Sequence, residues 1–201
     1  MPDYTETEVK LYVPDLGALA ARLEREGAAL TAPRILERNA RYDSADKALS
    51  ARRAVLRLRQ DKRVRLTYKE DPPEPEPSAG IGKTRTEIEL EVMDFDAMQA
   101  ILGRLGYQPY LIYEKYRTTY TLDEAEITLD ELPFGNFAEI EGTQESIGRL
   151  LPRLAVADAP RFDVSYTILF ERVRAALGLA FNDLTFDNFR GIAVPFSAFA
   201  E

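Results

Sequence analysis

Charged residues occupy every second position in several short segments of this chain. The first segment, TETEVKLYV, places Glu6, Glu8 and Lys10 in alternation with apolar residues such as Val9 and Leu11. Because successive side chains of a strand point to opposite faces, the three charges share one face and the apolar residues share the other. The pattern predicts a strand with its apolar face packed and its charged face turned to water or to a charged ligand.

The same alternation returns along the chain, with basic residues in some strands and acidic residues in others. The charged positions are Arg57 and Arg59; Arg65 and Lys69; Arg85, Glu87, Glu89 and Glu91; Lys115 and Arg117; and Glu139 and Glu141. Inside an enclosed site, repeated Glu-x-Glu pairs need cations and clustered Arg and Lys need anions. A polyphosphate with a divalent metal supplies both, because its oxygens accept bidentate Arg contacts and bridge the metal. Two simpler explanations stay open: a sheet face exposed to water, and mutual neutralisation by salt bridges.

Composition narrows the chemistry. The 201 residues include no Cys and no His, which excludes disulfides, zinc-thiolate sites, Cys nucleophiles and triads with an imidazole base. A metal would be held by oxygen, which favours Mg²⁺, Mn²⁺ or Ca²⁺. The net charge of −8 disfavours a general nucleic-acid or membrane binder. With no signal peptide or apolar span visible, we expect a cytoplasmic protein.

The order of predicted elements repeats. A strand is followed by a helix, a second strand and a hairpin, and the same series then returns, which predicts a pseudo-symmetric assembly of eight antiparallel strands. Eight strands can close into a barrel, with the amphipathic helices packed outside in an α+β fold. The predicted elements are the strand 5–13, a helix capped by Asp15 and ending at Gly27, strands 34–43, 54–60, 63–69 and 85–92, an Asp-capped helix ending at Gly106, strands 111–122, 126–132 and 137–142, and helices near 144–154 and 165–177.

Three further expectations concern domain organisation. Residues 1–178 are predicted to form a single domain with repeat halves at about 4–69 and 84–142, and the Phe-rich tail 179–201 is predicted to dock on it. The Pro-, Glu- and Gly-rich segment 70–83 is predicted to be an exposed, mobile loop. Its GIGKT sequence is not a phosphate-binding loop, because the Walker spacing requires glycine where this chain has Pro77.

The ordered set of charged motifs resembles the CYTH superfamily, the triphosphate tunnel metalloenzymes that include class IV adenylate cyclases and thiamine triphosphatases. The resemblance extends over roughly residues 4–170. The motifs that carry it are Glu-x-Glu-x-Lys at 6–10, Arg-x-Arg at 57–59, Lys69, Arg-x-Glu-x-Glu at 85–89, Lys-x-Arg at 115–117, Asp130 and Glu-x-Glu at 139–141.

The resemblance implies a closed barrel whose lumen binds a triphosphate and one or two Mg²⁺ or Mn²⁺ ions. The metal ligands implied by it are Glu6, Glu8, Glu139 and Glu141. The phosphate-binding residues implied by it are Lys10, Arg57, Arg59, Lys69, Arg85, Lys115 and Arg117. The catalytic residues implied by it are Lys10, Glu87, Glu89 and Asp130, the three acidic ones orienting a second metal or a water.

Several activities fit such a site. Hydrolysis of inorganic triphosphate or a small organic triphosphate is favoured, because cyclisation of ATP also needs a base pocket and a bound ribose. A class IV adenylate cyclase is the nearest alternative, and a non-catalytic polyphosphate or nucleotide sensor is another. Thiamine triphosphate is disfavoured because the chain has no Trp, and RNA binding because the basic stretch holds one aromatic residue. Tyr42, Tyr68, Tyr113 and Phe134 are candidates to stack on a ring, with packing the simpler role.

Overall fold

The computed structural model describes residues 5–71 and 83–200, with the side chains of residues 7–71 and 85–200. The segment predicted to be a loop therefore lies outside the described residues from 72 to 82. The described elements are, in chain order, β1 (Thr5–Tyr12), α1 (Leu16–Arg25), β2 (Ala29–Ser44), α2 (Ala48–Ala51), β3 (Val55–Gln60), β4 (Val64–Glu70), β5 (Lys83–Val92), α3 (Phe95–Arg104), β6 (Tyr107–Leu122), β7 (Ala125–Leu132), β8 (Gly135–Glu141), α4 (Gln144–Arg153), α5 (Tyr166–Leu177) and a 3-10 helix (Phe196–Phe199).

The eight strands form one curled antiparallel sheet in the order β1-β5-β4-β3-β2-β6-β7-β8. β1 also pairs with β8, so each strand has a hydrogen-bonded neighbour on both sides. If each strand of the first half, β1 to β4, changes places with its counterpart in the second half, β5 to β8, every pair of neighbouring strands is preserved. This is the symmetry that the repeated series of elements predicted. The predicted α+β class with eight antiparallel strands is confirmed.

The two longest strands differ from their predicted bounds. β2 and β6 each have 16 residues and pair with one another from Ala29 opposite Thr121 to Ser44 opposite Tyr107. The ladder contains register shifts between Leu30 and Ala32 and between Ala32 and Ile35. Such irregularities interrupt the alternation of apolar and polar residues. A third shift lies between Arg41 and Tyr42, and the period-two pattern missed the first residues of each strand, before 34 in β2 and before 111 in β6.

The helices of the two repeats begin and end as predicted. The Asp15 carboxylate accepts a hydrogen bond from the Ala18 amide at 2.9 Å, and the Asp94 carboxylate accepts one from the Ala97 amide at 2.8 Å. Each cap satisfies an amide that the first helical turn leaves unpaired, which stabilises the helix by about 1 kcal/mol. Gly27 and Gly106 follow the helices at φ of 84° and 91°, where a side chain would be strained.

The helices pack on the apolar outer faces of most strands. α1 and α4 cover β1, β7 and β8 around fully buried residues such as Leu11, Leu23 and Leu150. α3 lies against β3 and β6. The outer face of β5 is an exception, because its Ile88 and Leu90 are exposed. The expectation that helices cover the apolar outer faces therefore fails at this strand. No helix in the described ranges is long and apolar enough to cross a membrane.

The tail docks on the rest of the fold, as predicted. The Leu184 amide donates to the Ile112 carbonyl, and the Leu184 carbonyl accepts from the Glu114 amide, each at 2.9 Å. Phe199 is buried, with its ring 5.6 Å from that of Phe134 between centroids. The tail therefore extends the apolar cluster that α5 shares with β6 and β8.

Candidate functional site

The concave side of the curled sheet encloses a cavity of about 620 Å³. Because the apolar faces of the strands pack on the helices, the alternating charged faces point into this space. Among the described residues, ten Lys or Arg and nine Asp or Glu side chains line it. The basic ones are Lys10, Arg41, Arg57, Arg59, Arg63, Arg65, Lys69, Arg85, Lys115 and Arg117, and the acidic ones are Glu8, Glu37, Asp61, Glu87, Glu89, Glu126, Glu139, Glu141 and Asp163.

The structure brings together nearly all of the predicted site residues. Every predicted phosphate-binding residue lines the cavity, and so do Glu8, Glu87, Glu89, Glu139 and Glu141. The side chain of Glu6 lies outside the described part of the structure. Asp130 is fully buried and does not line the cavity.

Asp130 lies behind the cations of β6. Its carboxylate accepts hydrogen bonds from Lys115 Nζ at 2.9 Å, from Arg117 Nε at 2.7 Å and from the Tyr166 hydroxyl at 2.9 Å. Burial and then the neighbouring Asp130 raise the pKa of Tyr166 well above its ordinary value, so this hydroxyl stays a donor. The contacts suit a residue that holds Lys115 and Arg117 in place, and differ from the water- or metal-orienting role that the family resemblance implies.

Lys10 and Arg117 share Glu139. Lys10 Nζ lies 3.1 Å from Glu139 Oε1, and Arg117 Nη2 lies 2.6 Å from Oε2 of the same carboxylate. Although burial would raise the pKa of Glu139, Lys10 and Arg117 hold it well below its ordinary value. Burial would also lower the pKa of Lys10, but Glu139 and then Glu8 raise it. Both groups are therefore charged at neutral pH.

Glu37 is a second buried carboxylate at which cations converge. It lies 3.2 Å from Arg59 Nη1, 3.6 Å from Lys115 Nζ and 3.9 Å from Arg65 Nη2. Burial alone would raise the pKa of Glu37, but Lys115 and then Arg59 lower it to about 2. A single anion thus links cations from β3, β4 and β6 at the cavity wall.

A second set of ion pairs lies across β3, β4 and β5, and Arg65 joins it to the first because its Nη1 lies 3.6 Å from Glu89. Arg57 Nη2 lies 3.9 Å from Glu87 and 3.6 Å from Glu89, and Lys69 is paired with Glu87. Arg85 lies 2.9 Å from Asp71 at the end of β4. Many charges of the cavity therefore neutralise one another, as one of the two simpler explanations proposed.

Some hydrogen-bond donors of these cations have no acceptor despite the ion pairs. The Nε atoms of Arg41, Arg57 and Arg65 are buried and have no hydrogen-bond acceptor among the described residues. A buried polar group without a partner costs about 1 to 3 kcal/mol, and such groups are rare in folded proteins. These atoms belong to side chains that line one cavity, so a ligand rich in acceptor oxygens would satisfy them once the guanidinium groups turned toward it.

Carboxylates gather at another part of the wall, across three neighbouring strands. Glu141 of β8 lies opposite Glu8 of β1 and opposite Glu126 of β7. Like charges placed directly opposite destabilise a sheet unless a cation lies between them. Oxygen donors of this kind fit Mg²⁺ or Mn²⁺. Within the described ranges, however, no three carboxylates are already gathered into a metal-binding cluster, and Glu139 is engaged by Lys10 and Arg117.

Of the four aromatic residues considered for ring stacking, Tyr113 alone lines the cavity in the described structure. Tyr42 is buried beneath α3, where its hydroxyl donates to Gln99 at 3.0 Å. Phe134 lies in the apolar cluster beside the tail, and Tyr68 donates to Glu70 at 2.6 Å. The packing role is therefore observed for Tyr42 and Phe134.

Sequence reasoning did not assign a role at the site to several lining residues. Glu37 and Arg41 flank Asn39 in alternation on β2, and Glu126 alternates with Ile127 on β7. This is the same period-two signal that identified the other strands. The alternation is weak along β2 because the charged Arg38 shares the face of Leu36 and Ala40, and Glu126 lies outside the family motifs.

Comparison with known families identifies the fold and site. The CYTH domain family profile matches residues 4–151, which is more than half of the chain. The chain therefore belongs to the CYTH domain family, and members of this family act on triphosphates. No curated protein matches the chain.

Several solved structures share the fold. A Pyrococcus horikoshii protein is 27% identical, with a TM-score of 0.68 over 83% of this chain and 99% of that one. A candidate adenylate cyclase from Vibrio parahaemolyticus is 22% identical, with a TM-score of 0.66 over 85% of this chain and 99% of that one. A Hippeastrum adenylyl cyclase candidate, described as having a dominant triphosphatase activity, is 18% identical, with a TM-score of 0.56 over 83% of this chain and 94% of that one. At 22% and 18% identity, the similarity to the last two structures shows a shared fold only.

Proposed function

We propose that this CYTH protein is a divalent-metal-dependent hydrolase of inorganic triphosphate or of a small organic or nucleoside triphosphate. The observation that carries the proposal is the set of buried Arg Nε donors without acceptors in a cavity lined by ten cations. A triphosphate offers many acceptor oxygens and a charge that matches such a cluster. In this proposal the continuous ring of strand pairs works as a closed tunnel around the substrate.

The cations that we assign to the phosphates come from β1, β3, β4, β5 and β6. They are Lys10, Arg57, Arg59, Lys69, Arg85, Lys115 and Arg117. Their ion pairs with glutamates would rearrange as phosphate oxygens replace the carboxylates. Asp130 and Glu37, both buried, keep Lys115, Arg117 and Arg59 pointed at the cavity. Preorganised cations of this kind stabilise charge that develops on the phosphoryl oxygens.

The metal would be held by Glu8, Glu126 and Glu141, to which the family resemblance adds Glu6 and Glu139. When bound, a Mg²⁺ or Mn²⁺ ion neutralises charge on the triphosphate and acidifies bound water. Glu126 is added because it lies opposite Glu141 in the β7–β8 ladder. Glu139 is the weakest of these assignments, because two cations already occupy its oxygens.

The residues proposed to orient the attacking water are Glu87 and Glu89. They line the cavity beside Arg57, and Glu89 accepts a hydrogen bond from Thr67 at 2.7 Å. The water oxygen attacks the terminal phosphorus, the bond from that phosphorus to the bridging oxygen breaks, and the proton of the water passes to a carboxylate. We place this chemistry in one domain at 1–178, with the tail 179–201 supporting α5.

Product analysis tests the proposal. Purified protein is incubated with inorganic triphosphate, ATP or thiamine triphosphate and Mg²⁺ or Mn²⁺, and phosphate, pyrophosphate and cyclic AMP are measured separately. Terminal phosphate without cyclic AMP is the expected result. Cyclic AMP with an equal amount of pyrophosphate would replace the hydrolase by a cyclase, and tight binding without turnover would replace it by a sensor.

A further inference from the structure

Tyr113 lies in the cavity wall between cations. It is on β6 opposite Asn39, two residues before Lys115, and its side chain is 93% buried although it lines the cavity. Its ring belongs to the apolar cluster that includes Tyr166 of α5 and Leu184 of the tail. The ring is therefore fixed by packing, and the hydroxyl is its only polar atom.

The groups that face this hydroxyl are donors. Arg57 Nη1 donates to it at 3.4 Å, and Arg59 and Lys115 are the other nearby cations. Arg and Lys side chains have no acceptor atoms, so none of the three can receive the proton of the hydroxyl. The β2 carboxylate in this region, Glu37, is engaged by Arg59 and Lys115. Among the described residues, the Tyr113 hydroxyl accepts from Arg57 and donates to no acceptor.

We propose that the neutral hydroxyl of Tyr113 is a further phosphate-contacting group, which donates a hydrogen bond to an oxygen of the triphosphate held by Arg57, Arg59 and Lys115. The inference rests on the proposed function for the identity of the ligand. A phosphate oxygen supplies the acceptor that the surrounding cations lack. The hydroxyl also favours an ionised phosphate oxygen over a protonated one, because a hydrogen bond donated to a charged acceptor is stronger.

Protonation of Tyr113 provides a measurable consequence. Burial alone would raise its pKa, but Arg57, Arg59 and Lys115 lower it to about 8. A bound triphosphate neutralises those three cations and adds negative charge beside the hydroxyl, which raises the pKa again. Ligand binding and protonation of Tyr113 are therefore linked, and above pH 8 the phenolate form competes with the phosphates for the same cations.

The experiment follows phenolate absorbance between pH 6 and 10 in the wild type and in Tyr113→Phe. The difference between the two proteins isolates one tyrosine of ten. Tyr120→Phe is the matched control, since Tyr120 is buried in the outer apolar cluster away from the cavity. We expect a titration midpoint near pH 8 in the free wild type, and a rise of about one pH unit or more with inorganic tripolyphosphate and Mg²⁺.

Phosphate release from the same samples separates the two proposals. At pH 7, Tyr113→Phe is expected to raise KM about tenfold with kcat nearly unchanged, because the hydrogen bond forms in both ground and transition states. A midpoint that tripolyphosphate leaves in place, or a KM equal to that of Tyr120→Phe, overturns the role of Tyr113 even if phosphate is released. A midpoint that moves without phosphate release from tripolyphosphate, ATP or thiamine triphosphate supports Tyr113 as a ligand contact and rejects the hydrolase.

Discussion

The ammonium group of Lys115 lies 2.9 Å from the carboxylate of Asp130, and the two side chains are 2% and 0% exposed. Burial and then Arg117 lower the pKa of Lys115, whereas Asp130 raises it. The carboxylate therefore opposes the loss of charge from a cation that we assign to phosphate binding. It does so from behind the cavity wall, since Asp130 is buried and does not line the cavity.

Asp130→Asn is expected to destabilise the protein, because it leaves Lys115 and Arg117 buried without their anion. Breaking a buried ion pair from one side costs about 3 to 5 kcal/mol. Urea unfolding followed by circular dichroism measures the change. Asp187→Asn is the control, since Asp187 pairs with Arg190 at the surface and both side chains are more than 80% exposed. Equal stability of the two variants would show that Asp130 has no such structural role.

Glu37 is expected to make stability depend on pH in the acid range. Its pKa is about 2 in the folded protein against an ordinary value of 4.5, so its contribution is complete above pH 4.5 and is lost as the pH falls toward 2. The shift corresponds to about 3 kcal/mol at neutral pH. The unfolding free energies of the wild type and Glu37→Gln should differ at pH 7 and converge below pH 4. A difference that stays constant from pH 7 to pH 3 contradicts the prediction.

Glu8→Gln and Glu141→Gln are expected to lose metal-dependent turnover, with kcat/KM falling at least about 100-fold. Glu8 and Glu141 face one another across β1 and β8, so removing one charge should not destabilise the sheet. Rates are measured at several Mg²⁺ concentrations, with chelation and readdition of metal in the wild type. Glu145→Gln on α4 is the control, because its side chain is 81% exposed. Full activity in either cavity variant would refute the assignment of this cavity.

The sequence was sufficient to predict the class of fold, because alternation and helix caps are local signals. Lys10, Arg57 and Glu89 could be placed on charged faces without knowing which strands pair. The burial of each charged side chain could be read only from the structure. Glu37 and Asp130 alternate like exposed charges, yet both are buried anions that hold cations, Glu37 in the cavity wall and Asp130 behind it. Their burial depends on long-range pairing of β2, β6 and β7, which period-two patterns do not encode.

The position of the tail depended in the same way on long-range contacts. Composition indicated that a Phe-rich segment would dock, because its apolar surface is costly in water. The strand it meets could not be inferred, since Leu184 adds a single bridge beside Tyr113 rather than a recognisable strand. The outer face of β5 is the opposite case. The alternation of Ile88 and Leu90 correctly predicted a strand, but no helix of the described structure covers these residues.

Phe199→Ala is expected to destabilise the protein by about 3 to 5 kcal/mol, because the removed ring is buried among Phe134, Phe137 and Tyr12. Phe196 is on the same 3-10 helix but is 47% exposed, so Phe196→Ala should cost no more than about half as much. Both variants are compared by urea unfolding. Since α5 carries Tyr166 into the cavity wall, the Phe199 variant should also weaken tripolyphosphate binding more than the Phe196 variant does. Equal stability and equal binding in the two variants would mean that the docked tail does not support the site.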